Sequence, residues 1–299
     1  GDCKCRKSIA LTERNIMSIR KITTSLSSTP TIEGAGVHLK RAFGYHQAPR
    51  FDPFLMLDDF HSSNPDEYLA GFPWHPHRGI ETITYILGGL VEHGDSMGNT
   101  GVIGTGDVQW MTAGSGIIHQ EMPRESPSGT MWGVEFWANL PAVQKMMAPR
   151  YRDVRAADIP EVKQHNGVTI RIIAGTMGSV QGPVRDIVIE PELLDISIPA
   201  GTTYLHTIPE GHTAFVYILA GEGTFDESSV VHQPETVLLF ERIGSQVQVE
   251  TQELPVRFLF VAGKPLGEPV AWRGPIVMNT RAELDTAFEE YRNGTFIKQ

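Results

Sequence analysis

Residues 72–82 read FPWHPHRGIET, and the fold turns on how this stretch is read. Two histidines stand two apart, and a glutamate follows four residues after the second. On an extended strand alternate residues share a face. His75, His77 and Glu81 have one parity, so a regular strand through them turns three metal-capable side chains to one side. Gly79 between them leaves room for a ligand or for a close backbone approach. A second stretch, GSGIIHQEMP at 114–123, repeats the logic with His119 and Glu121. A single H-x-H pair has a plainer reading as a hydrogen-bonded core pair. The second pair, behind a glycine-rich turn, is what favours a metal. Imidazole with carboxylate suits a borderline divalent ion such as Fe, Mn, Ni or Zn. The absence of thiolate there argues against a closed structural zinc site.

Around these motifs the chain reads as all-β. Short runs rich in Val, Ile, Thr, Phe and Tyr recur at Ile83–Leu87, Val168–Ile173, Phe215–Leu219, Val237–Phe240 and Arg257–Val261. The 30 glycines and 20 prolines are spread between such runs as turn signals, the pattern of a sandwich or barrel. Helix signals are few. LPAVQKMM at 140–147 is compatible with one short helix. TRAELDTAFEEYRNG at 280–294 is clearer: Thr280 and Glu283 form a capping box, Leu284, Ala287, Phe288 and Tyr291 one apolar face, and Gly294 the stop. That helix is expected on the outside of the β core.

The chain has 299 residues, which at roughly 100–200 residues per domain suggests two domains. An internal repeat agrees: ETITYILGG (81–89) resembles TAFVYILAG (213–221), and GDVQWMTAGSG (106–116) has a looser counterpart in ETVLLFERIGS (235–245). The join falls near 150–165, giving an extension at 1–17, a metal-binding unit at 18–155 and a second unit at 156–299. Aligning Tyr85 with Tyr217 sets Thr207, Pro209 and Thr213 where the first copy has His75, His77 and Glu81. Gln248 then falls opposite His119, so the second copy lacks a ligand set. His206 and His212 read as surface or loop histidines.

A net charge of −10 argues against direct nucleic-acid binding, which needs a basic footprint. No run approaches the roughly 18 apolar residues of a membrane span. The opening segment lacks the apolar core of a secretory signal. Its Cys3 and Cys5 are the only cysteines and read as part of a tail without a role, and Met17 as a natural start. A cytoplasmic monomer is expected.

HPHRGIETITYILGG fits the cupin first motif, H-x-H-x(3)-E-x(6)-G, and GDVQWMTAGSGIIHQEMP a variant of the second. Together with DPFLMLDDF (52–60), FPWHPHRG (72–79), QWMTAGSGIIHQEMP (109–123) and GPIVMNT (274–280), they resemble the pirin family from about residue 18 to the end. The resemblance implies a bicupin: two jelly-roll β-barrels in one chain, with a short C-terminal helix. It implies one metal in the first barrel, Fe(II) ahead of Ni, Mn, Zn or Cu, held by His75, His77, His119 and Glu121. Glu81, Trp110 and Arg78 are expected around those ligands; Trp74, Trp110, Met111 and Trp132 as core or cavity lining; and Arg78 paired with Glu81 or Asp107. Asp58 and Asp59 are expected to be solvated or hydrogen-bonded. By the same resemblance the activity is a quercetin 2,3-dioxygenase reaction on a flavonol-like or other enolic aromatic with O2, Glu121 acting as base. The alternative is a redox-sensing regulator that binds protein partners.

Overall fold

The computed structural model describes residues 18–298; the expectations for Cys3, Cys5 and Met17 lie outside them. Two β-barrels follow one another, and the repeat seen in the sequence is their shared plan. In the first, a seven-stranded antiparallel sheet runs in spatial order Arg150–Val154, Val108–Thr112, Ile80–Gly88, Met131–Asn139, Phe54–Ser62, Val37–Phe43, Thr29–Glu33. In the second the order is Ile22–Ser27, Thr236–Phe240, Thr213–Gly221, Val256–Gly263, Glu192–Ile198, Thr169–Ala174, Glu161–Lys163. Ile80–Gly88 and Thr213–Gly221, the strands of the repeat, hold the same place. Tyr85 faces Val108 in one ladder and Tyr217 faces Val237 in the other.

Each large sheet closes over a smaller one. In the first barrel this is the four-stranded sheet Phe72–His77, Ile117–Arg124, Leu90–Asp95, Thr100–Gly104. In the second it is the pair Thr203–Thr207 and Gln246–Glu250. The interiors differ. The second is filled by one apolar cluster that includes Ile170, Ile196, Val216, Phe240, Val249 and Phe260. The first has two separate apolar clusters, one around Phe60 and Ile103 and one around Met111 and Val277. Buried polar groups occupy the first barrel beside them, among them His77, His93, Gln109, His119, Glu121 and Glu135. Apolar filling stabilises the second barrel by burial alone; the first keeps a polar interior that needs partners.

The largest apolar cluster lies between the barrels, where Phe43, Phe54, Tyr85 and Phe136 meet Phe215, Tyr217, Leu239 and Val261. Two hydrogen bonds cross this core in mirrored fashion. Tyr85 donates to Asp195 at 2.7 Å, and Tyr217 donates to Asp59 at 2.7 Å. Asp58 and Asp59 are buried rather than solvated: Arg41 grips both oxygens of Asp58, and Trp132 also donates to Asp59. Replacing Tyr217 by Phe leaves the Asp59 carboxylate one donor short and should cost about 1–3 kcal/mol in urea unfolding. An unchanged midpoint would refute the role given to this bond. Burial pushes the Asp59 carboxyl up to about 6 from an ordinary 3.8. Its folded pKa thus lies above the unfolded one, so its penalty falls away as pH drops through 6 towards 4. Relative to an Asp59→Asn variant, the native protein should gain up to about 3 kcal/mol over that window. Thermal midpoints of the pair across pH 7 to 4.5 check the sign.

The division at residue 155 is crossed twice. Ile22–Ser27, from the first unit of the sequence reading, is an edge strand of the second barrel's sheet, paired with Thr236–Phe240. The buried Arg20 beside it donates to the carbonyls of Gly244, His212 and Pro209. At the other end, the hairpin Ala271–Arg273/Ile276–Met278 and the helix Arg281–Arg292 pack back on the first barrel. The helix has the expected capping box, buries Leu284 and Ala287, and is followed by Gly294 at φ +74°. LPAVQKMM makes only a 3-10 turn at Ala142–Gln144, after which the chain sends Lys145 inward. No helix of the described residues is long and apolar enough to cross a membrane.

Candidate metal centre

His75 and His77 stand on Phe72–His77 and His119 on Ile117–Arg124, adjacent strands of the small sheet, with His75 directly opposite His119. The His75 and His77 Nε2 atoms are 3.0 Å apart, and His119 Nε2 lies 2.9 Å from that of His75. The second nitrogens decide what this closeness means. His75 Nδ1 donates to the Pro73 carbonyl at 2.8 Å and His77 Nδ1 to the Pro275 carbonyl at 3.0 Å. With the protons there, both Nε2 lone pairs point at one another, which is unfavourable until a cation lies between them. Two nitrogens each about 2.1 Å from one ion and at right angles are about 3.0 Å apart. Burial pushes the pKa of all three imidazoles down, and for His77 and His119 the neighbouring imidazoles push it further. They are therefore neutral, the form that binds metal. Among the described residues these three are the one cluster of this kind.

Glu121 is two residues beyond His119. One oxygen is 4.0 Å from His119 Nε2, and the other accepts from Thr84 at 3.1 Å. Burial raises its carboxyl to about 7. A cation beside it would favour the ionised form. Three imidazoles and a carboxylate at this reach fit a divalent ion.

Glu81 is elsewhere, and the reason is the strand. Extended structure stops at His77, and the chain crosses from the small sheet to the large one before Ile80, so the parity argument ends at His77. Glu81 is buried; Thr112 donates to its carboxylate at 2.6 Å, Trp110 faces it, and Arg150 lies 4.0 Å away. Arg78 pairs with neither Glu81 nor Asp107. It is buried against Glu290 at 2.7 Å, donates to the carbonyls of Ser115 and Phe296, and lies over the Phe296 ring. Asp107 takes Arg155 instead. Trp110 and Met111 are core, while Trp74 is half exposed. Gly79, at φ +80°, does meet a close backbone: a Cβ there would strike the Val277 carbonyl.

In the second barrel the register sets Leu205, not Thr207, opposite Gln248, a shift of two residues from the sequence alignment. His206 is buried, not superficial. It sits between Tyr204 at 3.0 Å and Glu192 at 3.0 Å.

His75 and His77 open onto a cavity of about 580 Å³ whose lining includes Arg41, Tyr45, Glu121, Glu135, Trp137 and Trp272. Of these, sequence reasoning singled out Glu121 alone. Glu135 had a signal, a lone carboxylate inside the apolar run Val134–Ala138. Trp272 and Pro275 had none, because the hairpin that carries them reaches the site from 195 or more residues beyond His77 along the chain.

Residues 36–138 match the Pirin family, and residues 193–297 match the Pirin C-terminal cupin domain. A pirin-like protein of Caulobacter vibrioides is 41% identical over 94% of this chain and 100% of its own length. Human pirin is 39% identical over 92% and 93%. Among solved structures, quercetin 2,3-dioxygenase from Acinetobacter baumannii superposes with a TM-score of 0.86 at 32% identity, covering 93% of this chain and 99% of that one.

Proposed function

The chain belongs to the pirin family of bicupins, and on that premise we propose that it is a metal-dependent dioxygenase opening the ring of quercetin or a related flavonol with O2. One divalent metal, Fe(II) in the cell, would be held by His75, His77, His119 and Glu121. The observation that carries this reading is the convergence of three neutral imidazole nitrogens, two of them and Glu121 on the wall of a cavity large enough for a planar ligand. The A. baumannii structure, called a quercetin 2,3-dioxygenase, supports the choice of substrate.

When bound, such a metal supplies redox chemistry with O2 and a positive charge beside an ionised substrate oxygen. The protein's own residues do the rest. The Pro73 and Pro275 carbonyls hold two imidazoles in the tautomer that offers Nε2. Glu121 takes the proton of the substrate hydroxyl. Trp137 and Trp272 stack on the ring and keep water from it.

The test is to strip the protein of metal, reload it with Fe(II), and follow flavonol absorbance with quercetin in air. Loss of absorbance that depends on iron supports the enzyme. No turnover with iron retained sinks it and returns the chain to the regulatory alternative.

A further inference from the structure

Several polar groups of the cavity wall are engaged. Both nitrogens that Arg41 turns to Asp58 make bonds, at 2.8 and 2.7 Å, and Glu33 lies 3.0 Å from the same guanidinium. The Trp272 N–H is held by the Gly274 carbonyl at 2.8 Å and the Trp137 N–H by Glu135 Oε1 at 2.9 Å. The His75 and His77 N–H groups face carbonyls. Among the described residues no partner reaches Glu135 Oε2, although the residue is 91% buried at the cavity wall. A buried carboxyl oxygen without a hydrogen-bond partner is costly, and a ligand that supplies one recovers that cost. Around Glu135 the wall is aromatic. Trp137 and Trp272 have ring centres 5.9 Å apart, and Tyr45 stands 5.4 Å from Trp272.

Resting on the flavonol reading of this cavity, we propose that Glu135 and Trp272 form a subsite that selects planar aromatics carrying additional hydroxyl groups. Trp272, from the C-terminal hairpin, stacks on the ring. Glu135 Oε2 shares a hydrogen bond with a ring hydroxyl other than the one at the metal. A site built to receive a hydroxyl discriminates strongly against the analogue that lacks it.

Quercetin and 3-hydroxyflavone provide the comparison. Both keep the 3-hydroxy-4-keto pair, but only quercetin carries other hydroxyls. Binding to the metal-loaded protein is measured without O2, by tryptophan quenching and by calorimetry. Quercetin should bind at least about tenfold more tightly than 3-hydroxyflavone. Glu135→Leu keeps the bulk of the side chain but removes both oxygens, so the ring hydroxyl loses its partner. Quercetin should then weaken by about tenfold while 3-hydroxyflavone is little changed. Trp272→Ala should weaken both ligands alike, and metal content and circular dichroism establish that each variant is folded. Equal affinity of the native protein for the two flavonols, or an undiminished preference in Glu135→Leu, overturns the subsite. Selective binding without turnover in air would instead sink the dioxygenase reading and leave the subsite standing.

Discussion

Replacing His119 by alanine should abolish metal retention and iron-dependent loss of quercetin absorbance. His119 is fully buried and is the only one of the three histidines carried on the Ile117–Arg124 strand. Without it, His75 and His77 form a two-nitrogen site beside Glu121. Loss of a residue that merely orients a ligand already weakens metal binding about 10–100-fold, so loss of a ligand should cost more than about a hundredfold. Stability separates this from simple misfolding. A metal at 100 times its dissociation constant raises native stability by about 2.7 kcal/mol. That increment should appear as a rise in Tm for the native protein and vanish in the variant. The metal-free forms should melt within a few degrees of each other. A His119→Ala protein that still shows the metal-induced rise would refute the site.

Lys145→Met should have the largest effect on stability. The Lys145 ammonium is 1% exposed and donates to Gly79 O at 2.9 Å, Asn139 Oδ1 at 2.6 Å and Val277 O at 2.9 Å. It ties the loop after the H-P-H motif to the C-terminal hairpin. Methionine fills the space but leaves three buried acceptors each one donor short, Gly79 O keeping only the Leu140 N–H at 3.3 Å, at a cost of about 3–5 kcal/mol. The hairpin also carries Pro275, whose carbonyl holds His77. Metal affinity should therefore fall along with the urea midpoint, by about 10–100-fold. Full stability with unchanged affinity would show that the hairpin stays docked without the lysine.

The sequence made much of this legible, and its failures have physical causes. Repeated strands, turn glycines and the capping box are local signals, and the repeated strands and the helix stand where those signals put them. The convergence of His75, His77 and His119 could be anticipated because short motifs on neighbouring strands encode it. Parity could not carry Glu81 into the histidine cluster because it holds only within one strand, and the chain changes sheet at Arg78–Gly79. Arg78 was given the wrong partner because its true one, Glu290, lies 212 positions along the chain. The burial of Asp58, Asp59 and His206 was missed for a related reason. Each is compensated by groups on another strand, Arg41, Tyr217 and Glu192 respectively, and a one-dimensional pattern does not show that compensation.

The exchanged ends of the chain bear on how the protein is made. Synthesis proceeds from the N-terminus at about 5–20 residues per second, and domains tend to fold as they emerge. A nascent first barrel still on the ribosome has His75, His77 and His119 but lacks Pro275, the hairpin and the Glu290 partner of Arg78. The carbonyl that orients His77 arrives only with that hairpin, 198 positions later along the chain. A metal held by these side chains, as proposed, would find His77 fixed in its binding tautomer only after the hairpin has been made and has docked.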